Sequence, residues 1–492
     1  MHLIVNDIDR RIEREMMERE TATAQSTHRN GARVGVFGIG LAAYWPQFPG
    51  LKEAIDGHLS HVEAQVGQWA EVIPAGLVDT AQRGAQVGDF LAQEGVDLLV
   101  CYAGTYATST QVLPVVQRAK VPIVLLNMQL VAALDYATTD TAEWLANCGS
   151  CPMPELAGVF TRAGITFRVV TGVLYDDAQA WEEVRSWCAA AGVARTIRRA
   201  RFGMLGHTYP GMIDMSTDVG MIHAQLGAHV EILEIDDLKD RVEAVMPAEL
   251  DRAMADTNVT FAVSSDISHE GIEWGVRIAA ALERLANDFQ LDGLAYYYRG
   301  TDGDRTEQIA SSMILGNTLL TARGVPAAGE GDLKTAIAMK IMHELGSGGS
   351  FSEFCAMDFR EDFFLMGHDG PAHVAISDGL PLLKELKVFH GKSGGGLSVE
   401  MRARTGPITV LGLTVTIDGR LKLIAAEGES LPGEVLHIGN SNHRLRFNRG
   451  LREFMSAWCA LGPTHHVALG TGHRISELRN VATILGLQFA TV

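Results

Sequence analysis

Short apolar, β-branched segments alternate with helical patterns over the first third of the chain. Residues 33–40 form such a segment, which ends in glycines as expected for a buried parallel strand. A helical pattern follows at 51–69, and the alternation continues through strand-like 71–78, helical 82–94, and strand-like 97–102 and 121–126. This β/α repeat predicts a doubly wound parallel sheet, preceded by a charged helical arm around residues 9–15.

Two further pattern changes divide the rest of the chain. A second β/α series has strand-like segments at 167–170, 200–205, 229–233 and 294–298. From about residue 398 the pattern becomes one of alternating strands with turn signals, at 398–403, 408–415 and 421–425. The sequence therefore predicts an α/β protein with two doubly wound parallel-sheet domains and a β-rich C-terminal domain, either an antiparallel sheet or a small barrel. The predicted domains are 1–165, 166–325 and 326–492.

Composition narrows the class of partner. The chain has 492 residues, of which 47% are hydrophobic, and its 41 Lys+Arg against 59 Asp+Glu give a formal charge of −18. The electrostatic field of such a net negative charge repels nucleic acid and anionic membrane surfaces, and favours a neutral or cationic ligand or a metal ion. The start is charged and no apolar run is long enough to span a bilayer, so we expect a cytoplasmic protein, in keeping with only six cysteines.

Two short motifs carry little weight by themselves. Gly38-Ile39-Gly40 follows the first strand, but no third glycine opens a helix as a dinucleotide site requires. Cys148 and Cys151 have the spacing of a redox pair or of half a zinc site, yet no second such pair completes a four-thiolate site. The two thiols are read as ordinary loop or pocket residues, with a thiol oxidoreductase as the hypothesis they leave open.

The last third of the chain offers carboxylates and imidazoles in a more informative order. Glycines flank Glu330, which lets the backbone turn tightly, and Asp332 is placed to cap the following helix. Glu353 lies among apolar residues, where a carboxylate needs a cation or hydrogen bonds to stay charged. His368 follows an apolar run, and His465 and His466 are adjacent in an extended segment, so that at most one should enter a shared site. This set of oxygen and nitrogen donors suits Mn²⁺, Mg²⁺ or Co²⁺.

At these residues the sequence resembles the L-arabinose isomerase family, with L-fucose isomerases as more distant relatives. The resemblance is carried by Ala328-Gly329-Glu330-Gly331-Asp332, Ser350-Phe351-Ser352-Glu353, Gly367-His368 and Thr464-His465-His466. The family has two α/β domains and a β-rich C-terminal domain, which agrees with the predicted organisation.

The resemblance implies a metal-dependent aldose–ketose isomerase acting on a small neutral sugar through an enediol. It implies the metal ligands Glu330, Glu353, His368 and His466, with Mn²⁺ the preferred cation, and makes Glu330 and Glu353 the catalytic acid and base in an order left open. Asp358 is an alternative to Glu353, because an Asp fills that place in fucose isomerases. A homo-oligomer, commonly a hexamer, is also implied.

The N-terminal half departs from the family pattern where sugar contacts are expected. A Gln-His-Leu-Tyr stretch of the family appears here as Leu41-Ala42-Ala43-Tyr44, and an Asn-Gln-Ser-Ala-His-Gly stretch as 147–152. The substrate is therefore left open among L-arabinose, D-galactose and a deoxyhexose, with Gln129, Cys148, Cys151 and His207 as predicted sugar contacts. A non-catalytic sugar- or metal-binding regulatory protein on the same fold is the alternative hypothesis.

Overall fold

The structure, a computed structural model, describes residues 31–299, 303–387 and 395–492. The predicted N-terminal helical arm lies outside these residues. The described chain divides into two compact units, one ending at Arg195 and the other beginning at Thr196.

The first unit is built on a five-stranded sheet in the order β2-β1-β3-β4-β5, in which every pairing is parallel. The strands are β1 (Arg33–Ile39), β2 (Glu71–Val78), β3 (Leu98–Ala103), β4 (Ile123–Gln129) and β5 (Phe167–Val173). The helices are α1 (Leu51–Val66), α2 (Ala81–Glu94), α3 (Ser109–Ala119), α4 (Thr141–Ala146), α5 (Pro152–Arg162) and α6 (Ala178–Arg199). All six residues of β3 are buried, as the continuous apolar run predicted.

One strand belongs to a different sheet from the one predicted. The sequence grouped residues 167–170 with the second β/α series, but β5 pairs with β4 from Phe167 to Val173 and forms the edge of the first sheet. That grouping is wrong, because a short apolar strand after a helix has the same pattern in either sheet and only its pairing partner distinguishes them.

The second unit contains a smaller parallel sheet of four strands in the order β10-β9-β6-β7. These strands are β6 (Arg201–Gly206), β7 (His229–Leu233), β9 (Gly293–Tyr297) and β10 (Ala327–Ala328). Its helices are α7 (Val219–Leu226), α8 (Ile235–Glu243), α9 (Pro247–Thr260), α10 (His269–Asp288), α11 (Arg305–Ala310) and α12 (Ile314–Ala322). A separate three-stranded sheet joins β8 (Ala262–Val263), β13 (Leu382–Lys387) and β14 (Gly395–Glu400), so the strand predicted from residue 398 lies there.

The rest of the second unit is an antiparallel barrel with three helices. Its seven-stranded sheet has the order β15-β18-β11-β12-β17-β16-β19, and the pairing of β15 with β16 closes all of these strands but β19 into a ring. The strands are β11 (Gly348–Asp358), β12 (Phe363–His368), β15 (Gly406–Val415), β16 (Leu421–Ser430), β17 (Ser441–Phe447), β18 (His466–Thr471) and β19 (Gln488–Thr491). The helices are α13 (Leu333–Glu344), α14 (Leu451–Ala460) and α15 (Ile475–Leu485).

The predicted fold class is confirmed: two parallel sheets with helices precede a β-rich barrel. The division into three domains at residues 165 and 325 stays a prediction. Among the described residues, none of the helices combines the length and the apolar character that crossing a bilayer requires.

Helices α2 and α3 approach each other closely because glycine lines their contact. A Cβ atom at Gly84 would overlap the backbone carbonyl oxygen of Gln111, and one at Gly88 would lie 2.8 Å from the carbonyl oxygen of Pro114. Gly57, by contrast, lies on α1 with nothing within 4 Å of the added atom.

We expect the same substitution to have opposite effects at these sites. Gly84→Ala should lower the free energy of unfolding by about 1–3 kcal/mol, because the two helices must separate. Gly57→Ala should raise it by about 0.5–1 kcal/mol through helix propensity alone. Urea titration followed by circular dichroism measures both, and a change of the same sign at the two positions would contradict the close packing of α2 on α3.

Candidate functional site

Glu330 is presented by a strained turn between β10 and α13. Its own φ is 59° and that of Gly331 is 72°, so two consecutive residues adopt the left-handed region. A Cβ atom at Gly331 would lie 2.5 Å from the carbonyl oxygen of His207, which explains the glycine. The turn is held by a hydrogen bond from the N–H of Tyr209 to the carbonyl oxygen of Glu330, at 2.8 Å. Left-handed backbone at a non-glycine residue is typical of functional sites, where the surrounding structure maintains the strain.

Three neighbouring barrel strands bring the other predicted ligands to the same end of the barrel. Glu353 lies on the middle strand, β11, directly opposite His466 of β18 on one side and Gly367 of β12 on the other. His368 follows Gly367 as the last residue of β12, and His466 is the first residue of β18. Strand register therefore makes neighbours of residues that are more than 100 positions apart in sequence.

A buried hydrogen bond orients His466. Its Nδ1 lies 3.0 Å from Oδ2 of Asp332, and neither side chain is exposed. Burial raises the pKa of the Asp332 carboxyl, but the hydrogen bond from His466, the nearby charges of His466 and Lys334 and the N–H of Thr335 together outweigh burial. The net pKa shift is downward, which favours an ionised Asp332. Burial also lowers the pKa of His466. A neutral His466 then donates its proton from Nδ1 to Asp332 and keeps an unprotonated Nε2.

That nitrogen faces the carboxylate of Glu330. The atoms Nε2 of His466 and Oε2 of Glu330 are 3.5 Å apart, and both are buried without a hydrogen-bond partner. Burial raises the pKa of Glu330, but the neighbouring His465, His368 and His466 together lower it by more, so the net shift of this pKa is downward. Two buried electron-pair donors that face each other repel unless a cation or proton lies between them.

The donor set around these two atoms fits a divalent cation. Ligand atoms of Glu330, His368 and His466 lie within 4.8 Å of one another. Carboxylate oxygen and imidazole nitrogen are ligands for Mn²⁺ and related ions, and an outer carboxylate on a ligating histidine, here Asp332, is the usual accompaniment.

His368 is fixed by contacts to its ring and to Nδ1. Its ring centroid lies 4.5 Å from that of Phe351, which also packs on His466 at 4.4 Å. Oδ1 of Asp369 lies 3.1 Å from Nδ1 of His368, and the N–H of Gly370 lies 2.8 Å from the same atom. Nδ1 can serve only one of these contacts at a time, and donation to Asp369 leaves Nε2 free to bind a cation.

The prediction that only one of the adjacent histidines enters the site is wrong. The ring centroids of His465 and His466 are 3.9 Å apart, and Nε2 of His465 lies 3.8 Å from Oε2 of Glu330. Strand alternation does not apply, because β18 begins only at His466. Nδ1 of His465 instead pairs with Asp214 at 2.7 Å, and the carboxylates of Glu330 and Asp214 raise the pKa of His465 to about 9.

The structure places Glu353, and not Asp358, beside the adjacent histidines His465 and His466. Glu353 lies with His465 and His466 in a second group whose ligand atoms are within 4.8 Å. Asp358 is five positions further along β11, and its carboxylate accepts hydrogen bonds from the N–H groups of Arg360 and Glu361 in the hairpin turn. Among the described residues, Asp358 belongs to no cluster of potential ligands.

The predicted sugar contacts fall in both units. His207 lies beside the Glu330 turn, with its ring 5.2 Å from that of Tyr297. Gln129 ends β4 in the first unit, where its amide donates to the carbonyl oxygen of Val131 at 2.6 Å. Cys148 and Cys151 lie before α5 in the first unit.

Several residues that shape the site were missed or given a lesser role from sequence. Asp332 does cap α13, accepting from the N–H of Thr335 at 3.0 Å, as predicted; its role in orienting His466 was not foreseen. Lys334 is 1% exposed and donates to the carbonyl oxygen of Ser216 and the hydroxyl of Thr217. The Gly-Glu-Gly-Asp sequence could have indicated Asp332, but Lys334 and Asp214 carry no spacing signal that links them to the histidines.

A separate cavity in the second unit does not include the cluster. Its volume is about 760 Å³ and its lining includes Trp274, Arg277 and Arg305. None of the four predicted ligands lines this cavity, so the ligand cluster is recognised from side-chain geometry alone.

Comparison with known proteins finds sugar isomerases among the proteins to which the chain is similar. A family model described as the L-arabinose isomerase central domain matches residues 216–348. The chain is similar to proteins named L-arabinose isomerase from Nocardioides sp., with 24% identity over 388 residues, and from Acidothermus cellulolyticus, with 23% over 384 residues. It is 22% identical to that of Bacillus subtilis over 386 residues. Each of these alignments covers 75% of this chain and 75% of the relative.

The pKa of His465 generates a pH-dependent prediction for the cation-free protein. A histidine whose pKa rises on folding stabilises the fold fully below its unfolded value, about 6.5, and loses that contribution as pH rises through the folded value, about 9. His465→Gln should therefore be most destabilising near pH 6, and its deficit in free energy of unfolding should shrink toward pH 10. Urea titrations of both proteins in chelator measure this, and a deficit independent of pH would contradict the charged pairing with Glu330 and Asp214.

Proposed function

We propose that this chain, which belongs to the L-arabinose isomerase family, is an aldose–ketose isomerase that uses a divalent cation held by Glu330, Glu353, His368 and His466. Mn²⁺ is the proposed cation, with Mg²⁺ and Co²⁺ as alternatives of the same ligand preference. The observation that supports the proposal most strongly is the buried, unpartnered pair of Nε2 of His466 and Oε2 of Glu330.

The reaction moves one proton from C2 of the aldose to C1, and a second from the 2-hydroxyl to the carbonyl oxygen. A cation in the site would supply Lewis-acid stabilisation of the negative charge that develops on the two sugar oxygens. One carboxylate of the pair Glu330 and Glu353 takes the C2 proton and returns it to C1, while the other carries the second proton from the 2-hydroxyl to the carbonyl oxygen. The lowered pKa of Glu330 keeps it ionised at neutral pH, as a ligand or base requires.

The neighbouring residues hold this arrangement in one geometry. Asp332 sets the tautomer of His466, and Phe351 packs against the rings of both His368 and His466. The charged His465 faces Glu330 and balances part of the carboxylate charge. Because these groups are positioned before substrate arrives, little reorganisation accompanies the chemical step.

The proposed substrate is a small neutral aldose: L-arabinose, D-galactose or a deoxyhexose. Several carboxylates converge on the site and the whole chain carries a formal charge of −18, which disfavours a phosphorylated sugar. His207, beside the Glu330 turn, is the proposed sugar contact from the second unit. We also propose a cytoplasmic homo-oligomer, hexameric by analogy with the family.

Glu330→Gln tests the catalytic assignment. The amide has nearly the shape of the carboxylate but is neither an anionic ligand nor a base, so kcat/KM should fall by about 10³-fold or more. Circular dichroism should be unchanged. Glu361→Gln is the matched control, since this carboxylate is 66% exposed on the β11–β12 hairpin, and its activity should be that of the wild type. Near-normal turnover by Glu330→Gln would refute the assignment.

The two adjacent histidines provide a second test, of metal binding alone. His466→Ala removes a proposed ligand and should weaken Mn²⁺ binding by more than about 100-fold, whereas His465→Ala removes an outer group and should weaken it by about tenfold at most. Free Mn²⁺ detected by electron paramagnetic resonance during titration of chelated protein measures both affinities. The reverse order would show that His465 and not His466 is the ligand.

A further inference from the structure

The thiols of Cys148 and Cys151 are in direct contact in the first unit. The Sγ–Sγ distance is 2.9 Å, and the thiol of Cys148 donates toward Cys151. Cys148 is buried, with 6% of its surface accessible, while Cys151 is exposed. The proposed isomerisation does not use the chemistry of this pair.

A tight turn brings the two side chains together. The N–H of Cys151 donates to the carbonyl oxygen of Cys148 at 3.3 Å, and the N–H of Met153 donates to that of Ser150 at the same distance. Gly149 allows the turn to lie against β3, because a Cβ atom there would be 2.6 Å from the carbonyl oxygen of Ala103. Backbone hydrogen bonds and close packing thus fix the contact of the thiols within the unit.

The turn lies at the carboxyl end of the parallel sheet, where proteins of this architecture bind their ligands. In the order β2-β1-β3, β2 lies on one side of β1 and the later strands lie on the other, so the strand order reverses between β1 and β3. Ala103, against which the turn packs, is the last residue of β3. Such a reversal leaves a crevice at the carboxyl ends of the two strands. Burial raises the pKa of Tyr44, which follows β1, and the nearby Cys148 and Cys151 raise it further.

The two thiols differ in the way that a dithiol exchange site requires. Cys151 is accessible and immediately precedes α5 as its N-cap. Cys148 is enclosed, and burial with the hydrogen bond to Cys151 raises its pKa to about 12, so it remains a thiol while its partner reacts. An exposed attacking sulfur with a protected second sulfur in contact favours closure of an intramolecular disulfide over a lasting mixed disulfide.

We propose that Cys148 and Cys151 form a thiol–disulfide exchange site that is oxidised by a small disulfide such as glutathione disulfide. The Cys151 thiolate attacks one sulfur of glutathione disulfide, which breaks its S–S bond and releases one glutathione thiolate. Cys148 then loses its proton and attacks the Cys151 sulfur, forming the Cys148–Cys151 bond and releasing the second glutathione. Two thiols are oxidised, one disulfide is reduced to two glutathione thiols, and the protons balance.

The other four cysteines lack this arrangement. Cys101 and Cys188 are buried, and burial raises the pKa of both. Cys355 and Cys459 are exposed, but the Sγ of Cys459 lies 3.6 Å from the sulfur of Met455, and that of Cys355 contacts two backbone carbonyl oxygens. The proposal for this site rests on no residue of the Glu330 cluster, so it can be tested separately from sugar isomerisation.

The experiment equilibrates the reduced full-length protein with glutathione buffers of increasing disulfide content. Acid quenching, alkylation of remaining thiols and peptide mapping then locate the oxidised residues. We expect the loss of two alkylatable thiols, both in the peptide that carries Cys148 and Cys151, with no glutathione retained there and full reversal by dithiothreitol.

Single variants separate the two roles. Cys148→Ser should retain one glutathione on Cys151, because no second thiol resolves the mixed disulfide, and Cys151→Ser should lose reactivity at Cys148. Cys459→Ser, an exposed thiol of the other unit, is the matched control and should leave the oxidation of Cys148 and Cys151 unchanged. Full alkylation of both thiols in excess glutathione disulfide, or a disulfide that joins either of them to another cysteine, would overturn the proposal.

Discussion

The buried hydrogen bond between Asp332 and His466 governs the candidate site. Because Nδ1 of His466 is committed to an ionised carboxylate at 3.0 Å, the other ring nitrogen keeps its lone pair and points at Glu330. The free-energy cost of burying these two electron-pair donors falls when a positive group lies between them. The interaction that orients His466 therefore also favours a cation at this position. Asp332 also caps α13, which couples the histidine to the start of that helix.

A turn and three barrel strands together bring the proposed cation ligands into one place. The left-handed turn at Glu330 and Gly331 brings one carboxylate in from the end of the parallel sheet, and adjacent antiparallel strands bring Glu353, His368 and His466 in from the barrel. Neither element assembles the cluster alone. Changes in strand register would turn these side chains to the other face, so the barrel has to be precisely paired for the site to exist.

Much of this could be predicted from the sequence, and the failures have physical causes. Apolar periodicity located the strands of the first sheet, and the glycines around Glu330 indicated the tight turn. Periodicity describes which face of an element is buried but not its partner, so β5 was assigned to the wrong sheet. The position of His465 was predicted wrongly because side-chain alternation holds only within a strand, and β18 begins one residue later. The contact of Cys148 with Cys151 depends on a turn whose packing on β3 has no sequence signature.

The central claim is that a cation in the Glu330 and His466 cluster drives isomerisation of a neutral sugar. The most direct test measures ketose formation from L-arabinose, D-galactose and L-fucose by chelated protein, with and without added Mn²⁺. The account predicts that at least one aldose is converted, that conversion requires Mn²⁺, and that chelation stops it reversibly. Failure to convert any of the three by folded, Mn²⁺-saturated protein, or equal turnover with and without the ion, would contradict it.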